Sequence, residues 1–183
     1  MKKFAVSIGV LALLLVFAAS AAARPGRLLR PRHLLGEVVS IDASASTVSF
    51  FCRDDTTRTL SAVDATKVIK DGRRSTLGGL ALGDLGTAKY VPTVAGNFKA
   101  LRIIVRTPIM RGKISEITSD TVTLKRPKLT RTFKVDADTT IRRNGAEAEL
   151  AGLKVGDQAK VAYNKTEAGE FLARRVRAAG HSN

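Results

Sequence analysis

Short runs of alternating apolar and polar residues follow one another along the chain, as expected of half-buried β-strands. They are clearest in the second half, at residues 112–118, 121–125, 132–136, 139–142, 158–163 and 170–177. Asn144-Gly145 predicts a tight turn, and residues 147–153 predict a helical turn. Short strands separated by turn residues predict a small sandwich or barrel, and closure into a barrel would remove exposed sheet edges.

The first half of the chain repeats this pattern. Residues 57–104 align with residues 130–177 without a gap, and the match continues upstream with small shifts. Identical pairs in the alignment include Gly72 and Gly145, Asp84 and Asp157, Tyr90 and Tyr163, and Phe98 and Phe171. The chain therefore contains two copies of one small β-domain.

The repeat sets the expected boundaries. We place repeat one at 35–106, a short linker at 107–110, repeat two at 111–178 and a tail at 179–183. Residues 24–34 hold two Pro and four Arg, which predicts an extended, basic, mobile arm. The linker is too short to be flexible, so we expect the two repeats to touch.

The N-terminus has the three parts of a secretory signal peptide. Lys2 and Lys3 are followed by an apolar stretch, and Ala21-Ala22-Ala23 fits a cleavage site before Arg24. We therefore predict a signal peptide over 1–23 and a periplasmic or secreted mature protein. The alternative is an uncleaved membrane anchor, because residues 4–23 are about long enough to span a bilayer.

Several of these motifs together resemble a family of exported bacterial domains of unknown function. They are a Gly112-x-Ile114 strand, a Thr130-x-Thr132 strand, the Asn144-Gly145 turn and a Leu153-x-x-Gly156-Asp157 segment. The resemblance covers both repeats and implies an all-β protein of two tandem small OB-like β-barrels, with five to six strands each. It implies no activity and carries no functional residue across.

The charge of the chain favours anionic partners. The formal net charge is +15, and without Lys2 and Lys3 it is +13. Such a charge bears on association and not on the fold. Residues 110–178 carry +6 against +3 for residues 35–107, so we expect repeat two to dominate binding.

The cations of repeat two form the candidate binding site. If residues 121–126 and 130–136 pair as a hairpin, basic residues crowd its tip and one face. The candidate polyanion-binding residues are Lys125, Arg126, Lys128, Arg131, Arg142, Arg143 and Arg175. The alternative is a solvated basic face that only keeps a small protein soluble.

No catalytic arrangement is recognisable in the sequence. His33 and His181 lie in the predicted tails, away from any nucleophile that a triad would need. Asp84 and Asp157 each stand alone in their repeat, which favours a turn role in which the carboxylate caps nearby amides. We therefore expect no enzyme activity, no cofactor and no metal site.

Cys52 is the single cysteine, so a disulfide framework is excluded. Its place in a predicted strand favours burial as a small hydrophobe, with pairing between chains as the alternative.

Two partner classes remain open. The first hypothesis is a non-catalytic module that binds anionic envelope polymers or lipid headgroups. The second is a structural or assembly protein that binds an envelope protein. Nucleic acid is the less favoured polyanion, because single-stranded nucleic acid usually needs exposed aromatic platforms, and the aromatics repeated in both copies fit core packing.

Overall fold

The computed structural model describes residues 30–93 and 96–180, and in this part of the chain it forms thirteen strands. The predicted signal peptide, most of the predicted arm, and His181 lie outside the described residues. Repeat one contains β1 (Arg32–Asp42), β2 (Thr47–Cys52), β3 (Thr57–Lys70), β4 (Arg73–Ser75), β5 (Leu85–Pro92) and β6 (Phe98–Arg106), with a 3-10 turn at Leu77–Gly79.

Repeat two follows the same order. It contains β7 (Ile109–Ile117), β8 (Thr121–Arg126), β9 (Leu129–Lys134), β10 (Thr140–Arg143), β11 (Ala146–Glu147), β12 (Gln158–Lys165) and β13 (Phe171–Ala179), with a 3-10 turn at Leu150–Gly152. The predicted strands and the helical turn of this repeat are confirmed. The predicted Asn144-Gly145 turn is also confirmed, since both residues have the positive φ that such a turn requires.

Each repeat is built around a five-stranded β-barrel with short additional strands, which confirms the expected all-β class and the tandem barrels. In repeat one the order β2-β1-β5-β6-β3 is closed by pairing of β2 with β3. In repeat two β12, β7, β8 and β9 follow one another, and β13 pairs with both β12 and β9. The third and last barrel strands run parallel, and their other neighbours are antiparallel.

One strand of repeat one corresponds to two strands of repeat two. The long β3 runs past a register shift between Ala62 and Lys67. In repeat two a turn at Asp136, whose carboxylate accepts a hydrogen bond from the Thr139 hydroxyl, separates β9 from β10. Repeat two consequently has seven strand segments, one more than the five or six expected.

Each barrel encloses its own apolar core, because alternate residues of every strand point inward. Leu60 in repeat one and Phe133 in repeat two are fully buried at equivalent positions. Phe50 is fully buried while its neighbour Phe51 is 44% exposed, as expected of adjacent strand residues. Cys52 is buried and free, and burial raises the pKa of its thiol.

Two expected boundaries and the expected placement of His33 differ from the strands of the structure. β1 begins at Arg32, so the predicted arm over 24–34 overlaps the first strand. His33, expected in a tail, pairs with Lys89 inside the sheet. The linker is only Thr107-Pro108, since β7 begins at Ile109. Backbone pairing with a neighbouring strand recruits these flanking residues, and composition alone does not reveal it.

Within the described ranges no helix is long and apolar enough to cross a membrane.

Candidate anion-binding surface

Four cations of repeat two lie side by side on the outer face of the barrel. Strand pairing sets Arg142 of β10 beside Arg177 of β13, Arg177 beside Lys160 of β12, and Lys160 beside Arg111 of β7. We call Arg142, Arg177, Lys160 and Arg111 the cationic row. Because neighbouring strands are about 4.8 Å apart, the row spans roughly 14 Å.

The cations of the row form no ion pair with any described residue, and Arg142 alone has an acidic residue opposite it in the sheet. Arg142, Arg177 and Arg111 are exposed and Lys160 is half-buried. Among the described residues, no ion pair involves any member of the row. Glu147 lies across from Arg142 at the edge of the sheet, without an ion pair between them. Like charges directly opposite on neighbouring strands repel, so the row has an unfavourable energy that a bound anion would relieve.

The equivalent row of repeat one carries no charge. Its members are Ile69, Ile104, Thr87 and Leu35, paired across the equivalent strands. The two barrels therefore share a backbone and differ in what they present to solvent at this position. The cations are consequently not a requirement of the barrel itself.

A groove lined by β7 and the end of β8 continues the basic surface. Lys113 of β7 lies directly opposite Lys125 of β8, again two like charges. These two lysines, with Arg111 and Arg126, line a groove of about 710 Å³ together with Val155, which is 64% exposed. Two of the sequence-predicted residues, Lys125 and Arg126, thus lie on the same surface as the cationic row. We call this the hairpin groove.

Arg175 lies on the same face as Arg177 by strand alternation, and a β-bulge turns its neighbour Arg174 outward as well. The register between β12 and β13 shifts between Ala162 and Tyr163, so that Arg174 and Arg175 face the single residue Ala162. Both arginines are exposed, whereas Ala173 and Val176 on either side are buried. Bulges re-aim side chains and occur next to functional sites. Arg175 lies two residues from Arg177 and extends the basic surface.

Two predicted site residues are engaged inside the repeat. Arg131 donates a hydrogen bond to the Tyr163 hydroxyl, and its guanidinium lies 4.1 Å from the centre of the Phe171 ring. Arg58 bonds to Tyr90 in the same way in repeat one. Arg131 is therefore a structural side chain, and we remove it from the candidate site.

Arg143 is the second engaged residue. Its guanidinium holds the nearly buried Asp157 carboxylate through two hydrogen bonds, Nε to Oδ2 at 2.7 Å and Nη2 to Oδ1 at 3.2 Å. This contact lowers the pKa of Asp157 and raises that of Arg143. Arg143 is likewise removed from the candidate site.

The predicted turn role of the two aspartates is confirmed. Asp157 Oδ2 accepts a hydrogen bond from the Lys154 amide, and Asp84 Oδ2 accepts one from the Ala81 amide. Their cationic partners were not predicted. Lys70 lies 2.8 Å from Asp84 at the position equivalent to Arg143.

The remaining predicted residue, Lys128, is exposed in the turn between β8 and β9. The predicted site lacked Arg177 of the row, and it also lacked Arg111 and Lys160. Arg111 and Lys160 both lie in runs of alternating residues whose outward positions are polar, and this pattern indicates that they face outward. Their alignment with Arg177, however, depends on strand register.

Repeat one has a basic row of its own, displaced along the barrel. Lys89 pairs with Arg102 across β5 and β6, and His33 and Lys67 flank them on the neighbouring strands. In repeat two, the facing pair Lys113 and Lys125 adds further cations beside the cationic row. The row of repeat one has no such additional pair.

Over the residues that the structure describes, no three His, Cys, Asp or Glu side chains group as metal ligands.

No curated protein matches this chain in sequence. A solved structure from Streptococcus pneumoniae TIGR4, described as a multidomain protein with nucleic acid binding domains, is 14% identical, with a TM-score of 0.28. The match covers 77% of this chain and 44% of that protein, so this chain spans less than half of its length. A likeness this weak supports no functional argument. Residues 111–177, which are repeat two, match the family described as Domain of unknown function (DUF5666).

Proposed function

We propose that this chain is an exported, non-catalytic binding module that holds an anionic polymer of the cell envelope on the outer face of repeat two. The observation that carries the proposal is the cationic row, in which four basic side chains from four neighbouring strands lie in register and form no ion pair with a described residue. Repulsion between these charges is relieved when an anion binds between them. The signal peptide that the sequence predicts at 1–23 supports an envelope ligand over nucleic acid.

A linear ligand fits this surface better than a compact one. The cations are spread along a line of roughly 14 Å. Lys113 and Lys125 continue the positive charge beyond its Arg111 end, whereas Glu147 lies opposite Arg142 at the other end. The row and the hairpin groove are shallow outer surfaces of a barrel whose interior is filled by side chains. Charges spaced along a flexible polymer can contact such a line one after another. An anionic membrane surface, which presents many headgroups in a plane, is the nearest alternative ligand.

The direct test is binding of long-chain polyphosphate and of poly-glutamate to the protein across a range of salt concentrations. We expect binding at low salt that weakens steeply as salt rises, because counterions are released from the polymer. Replacing Lys160 and Arg177 with Gln should weaken binding about tenfold or more, at roughly 1 kcal/mol per cation near an anionic surface. Vesicles of phosphatidylglycerol test the membrane alternative in the same variants.

The matched control is a Lys89→Gln/Arg102→Gln variant. These residues form the corresponding kind of pair, a Lys opposite an Arg on antiparallel neighbours, and they remove the same charge from repeat one. We expect a clearly smaller loss of binding. Equal losses in the two variants would show that net charge alone governs binding, and absence of polymer binding at low salt would rule the proposal out.

The second candidate is a structural or assembly protein of the envelope. It is favoured by an exposed apolar surface on repeat one, where Leu35, Phe51 and Leu85 are each at least 40% exposed. Recovery of a stoichiometric envelope protein by the wild-type chain, but not by a Phe51→Ser variant, would support this candidate.

A further inference from the structure

A second basic region lies where the two repeats meet. The turn and strand that follow β3 in repeat one face the outer surface of β12 and β13 in repeat two, and a cleft of about 600 Å³ separates them. The basic side chains that line it are Lys70, Arg73, Arg74, Arg174 and Arg175. We call it the inter-repeat cleft. It was not foreseen from the sequence, which placed the basic surface within repeat two.

Three of these cations, Arg73, Arg74 and Arg175, are available to a ligand, while Arg174 also donates a hydrogen bond to Asn164. Lys70 is held by the Asp84 carboxylate, but Arg73, Arg74, Arg174 and Arg175 form no ion pair among the described residues. Asp71 is the single carboxylate in the lining, and both of its oxygens accept hydrogen bonds from Thr107. The cleft is therefore strongly positive overall.

Three of the five cations of the cleft stand at positions where the other repeat is not basic. Arg73 and Arg74 of β4 correspond to Ala146 and Glu147 of β11. Arg174 corresponds to Leu101 of repeat one. The strand β4 is basic, and its counterpart β11 is not. Because β4 faces Arg174, whose position is a leucine in repeat one, the charge is concentrated where the repeats meet.

Polar contacts fix the two walls relative to each other. Asn164 of β12 donates a hydrogen bond to Asp84 of repeat one and accepts one from Arg174. Lys165 forms an ion pair with Glu37, and its backbone amide donates to the Leu82 carbonyl. A cleft held in place before binding loses little conformational freedom when a ligand enters.

The cleft is continuous with the cationic row. Its repeat-two wall contains Arg175 and Ala162, which lie side by side across β13 and β12. Arg175 and Arg177 point to the same face, about 7 Å apart along the strand. The row runs across the strands, so a polymer that turns at Arg177 and follows β13 reaches the cleft at Arg175.

We propose that a linear polyanion bound on the cationic row continues past Arg175 into the inter-repeat cleft, where Arg73 and Arg74 of repeat one bind its next charged groups. This inference rests on the proposed function and extends it. Full affinity then requires both repeats and a polymer long enough to reach from one to the other. Short anions occupy the row without engaging repeat one.

The test compares long-chain polyphosphate with tripolyphosphate on the full chain. In an Arg73→Gln/Arg74→Gln variant we expect long-chain affinity to fall about tenfold and tripolyphosphate affinity to stay unchanged. The slope of log affinity against log salt for the long chain should become shallower by about 0.7 for each cation lost. The Lys160→Gln/Arg177→Gln variant should weaken both ligands.

The outcomes separate this inference from the proposed function. Unchanged long-chain affinity and salt slope in the Arg73/Arg74 variant, with weaker binding in the Lys160/Arg177 variant, would overturn the inference and leave the proposed function standing. Absence of binding to the wild type would overturn both. If the Arg73/Arg74 variant lost affinity for long-chain polyphosphate and for tripolyphosphate equally, this would contradict a binding path that begins on the cationic row. Urea unfolding of each variant checks that the barrels are intact.

Discussion

The side-chain amide of Asn164 in repeat two lies 3.3 Å from the carboxylate of Asp84 in repeat one and donates a hydrogen bond to it. Asp84 is fully buried, and Lys70 and the Ala81 amide occupy its other oxygen. In repeat two the equivalent carboxylate, Asp157, is instead held at both oxygens by one arginine. Repeat one has a lysine at the position of that arginine. One oxygen of Asp84 is therefore free to bind the neighbouring repeat.

Asn164→Val should lower the free energy of unfolding by about 1 to 3 kcal/mol, because Asp84 would lose a buried hydrogen-bond donor. Valine is suitable because repeat one has Val91 at the equivalent strand position. Urea unfolding measures the change. Asn97→Val, at an exposed site whose side chain makes no hydrogen bond to a described residue, is the control. Equal stability of the two variants would contradict a role for Asn164 in joining the repeats.

Acid should weaken repeat two through Asp157. Arg143 lowers the pKa of this carboxyl in the folded state, below its value of about 4 in an unfolded chain. The unfolded state therefore takes up a proton first as the pH falls. The stability contributed by the pair is complete above about pH 4 and is lost as the pH falls through the folded-state pKa.

Urea unfolding between neutral pH and strong acid tests this dependence. Asp157→Asn should be less stable near neutral pH and should show a flatter decline below about pH 4. Asp138→Asn, which removes an exposed carboxylate that forms no ion pair, should keep the steep decline of the wild type. A wild-type slope in the Asp157 variant would show that other carboxyls control acid unfolding.

The barrels were predictable because the sequence patterns that mark their strands and turns are local. Alternation identified the strands of repeat two, and the Asn144-Gly145 pair identified a turn. The surface was less predictable because it depends on register. Arg111, Lys160 and Arg177 are far apart in the sequence and meet only through strand pairing.

Neighbouring residues also took opposite roles for reasons that composition does not show. Arg142 and Arg143 are adjacent, but adjacent strand residues point to opposite faces, so the first meets solvent and the second meets Asp157. At Arg174 and Arg175 the bulge breaks this alternation and sends both outward. Neither outcome could be assigned from charge counts.

Gly86→Ala should destabilise repeat one by about 1 to 3 kcal/mol, the usual cost of forcing extra volume into a packed site. A Cβ at Gly86 would lie 2.0 Å from the Ile104 carbonyl oxygen and 2.7 Å from the Val105 Cα. These are backbone atoms of β6, so the strand itself must move. Thermal unfolding measures the loss.

Gly78→Ala is the matched control for Gly86. A Cβ there would meet only the Thr76 hydroxyl oxygen, at 4.0 Å. A lower melting temperature for Gly78→Ala than for Gly86→Ala would contradict close packing of β5 against β6.

The distinction between structural and ligand-binding cations in repeat two predicts opposite effects for two arginines. Arg131→Gln should lower the free energy of unfolding by about 1 kcal/mol, because it removes the hydrogen bond to Tyr163 and the contact over Phe171. Arg126→Gln should leave stability unchanged, since Arg126 is exposed and forms no ion pair with a described residue. Polyphosphate affinity should respond in the opposite order, falling for Arg126→Gln and remaining near wild type for Arg131→Gln. Urea unfolding and binding titration of the same two proteins measure both quantities. A stable Arg131 variant with weakened binding would return Arg131 to the candidate site.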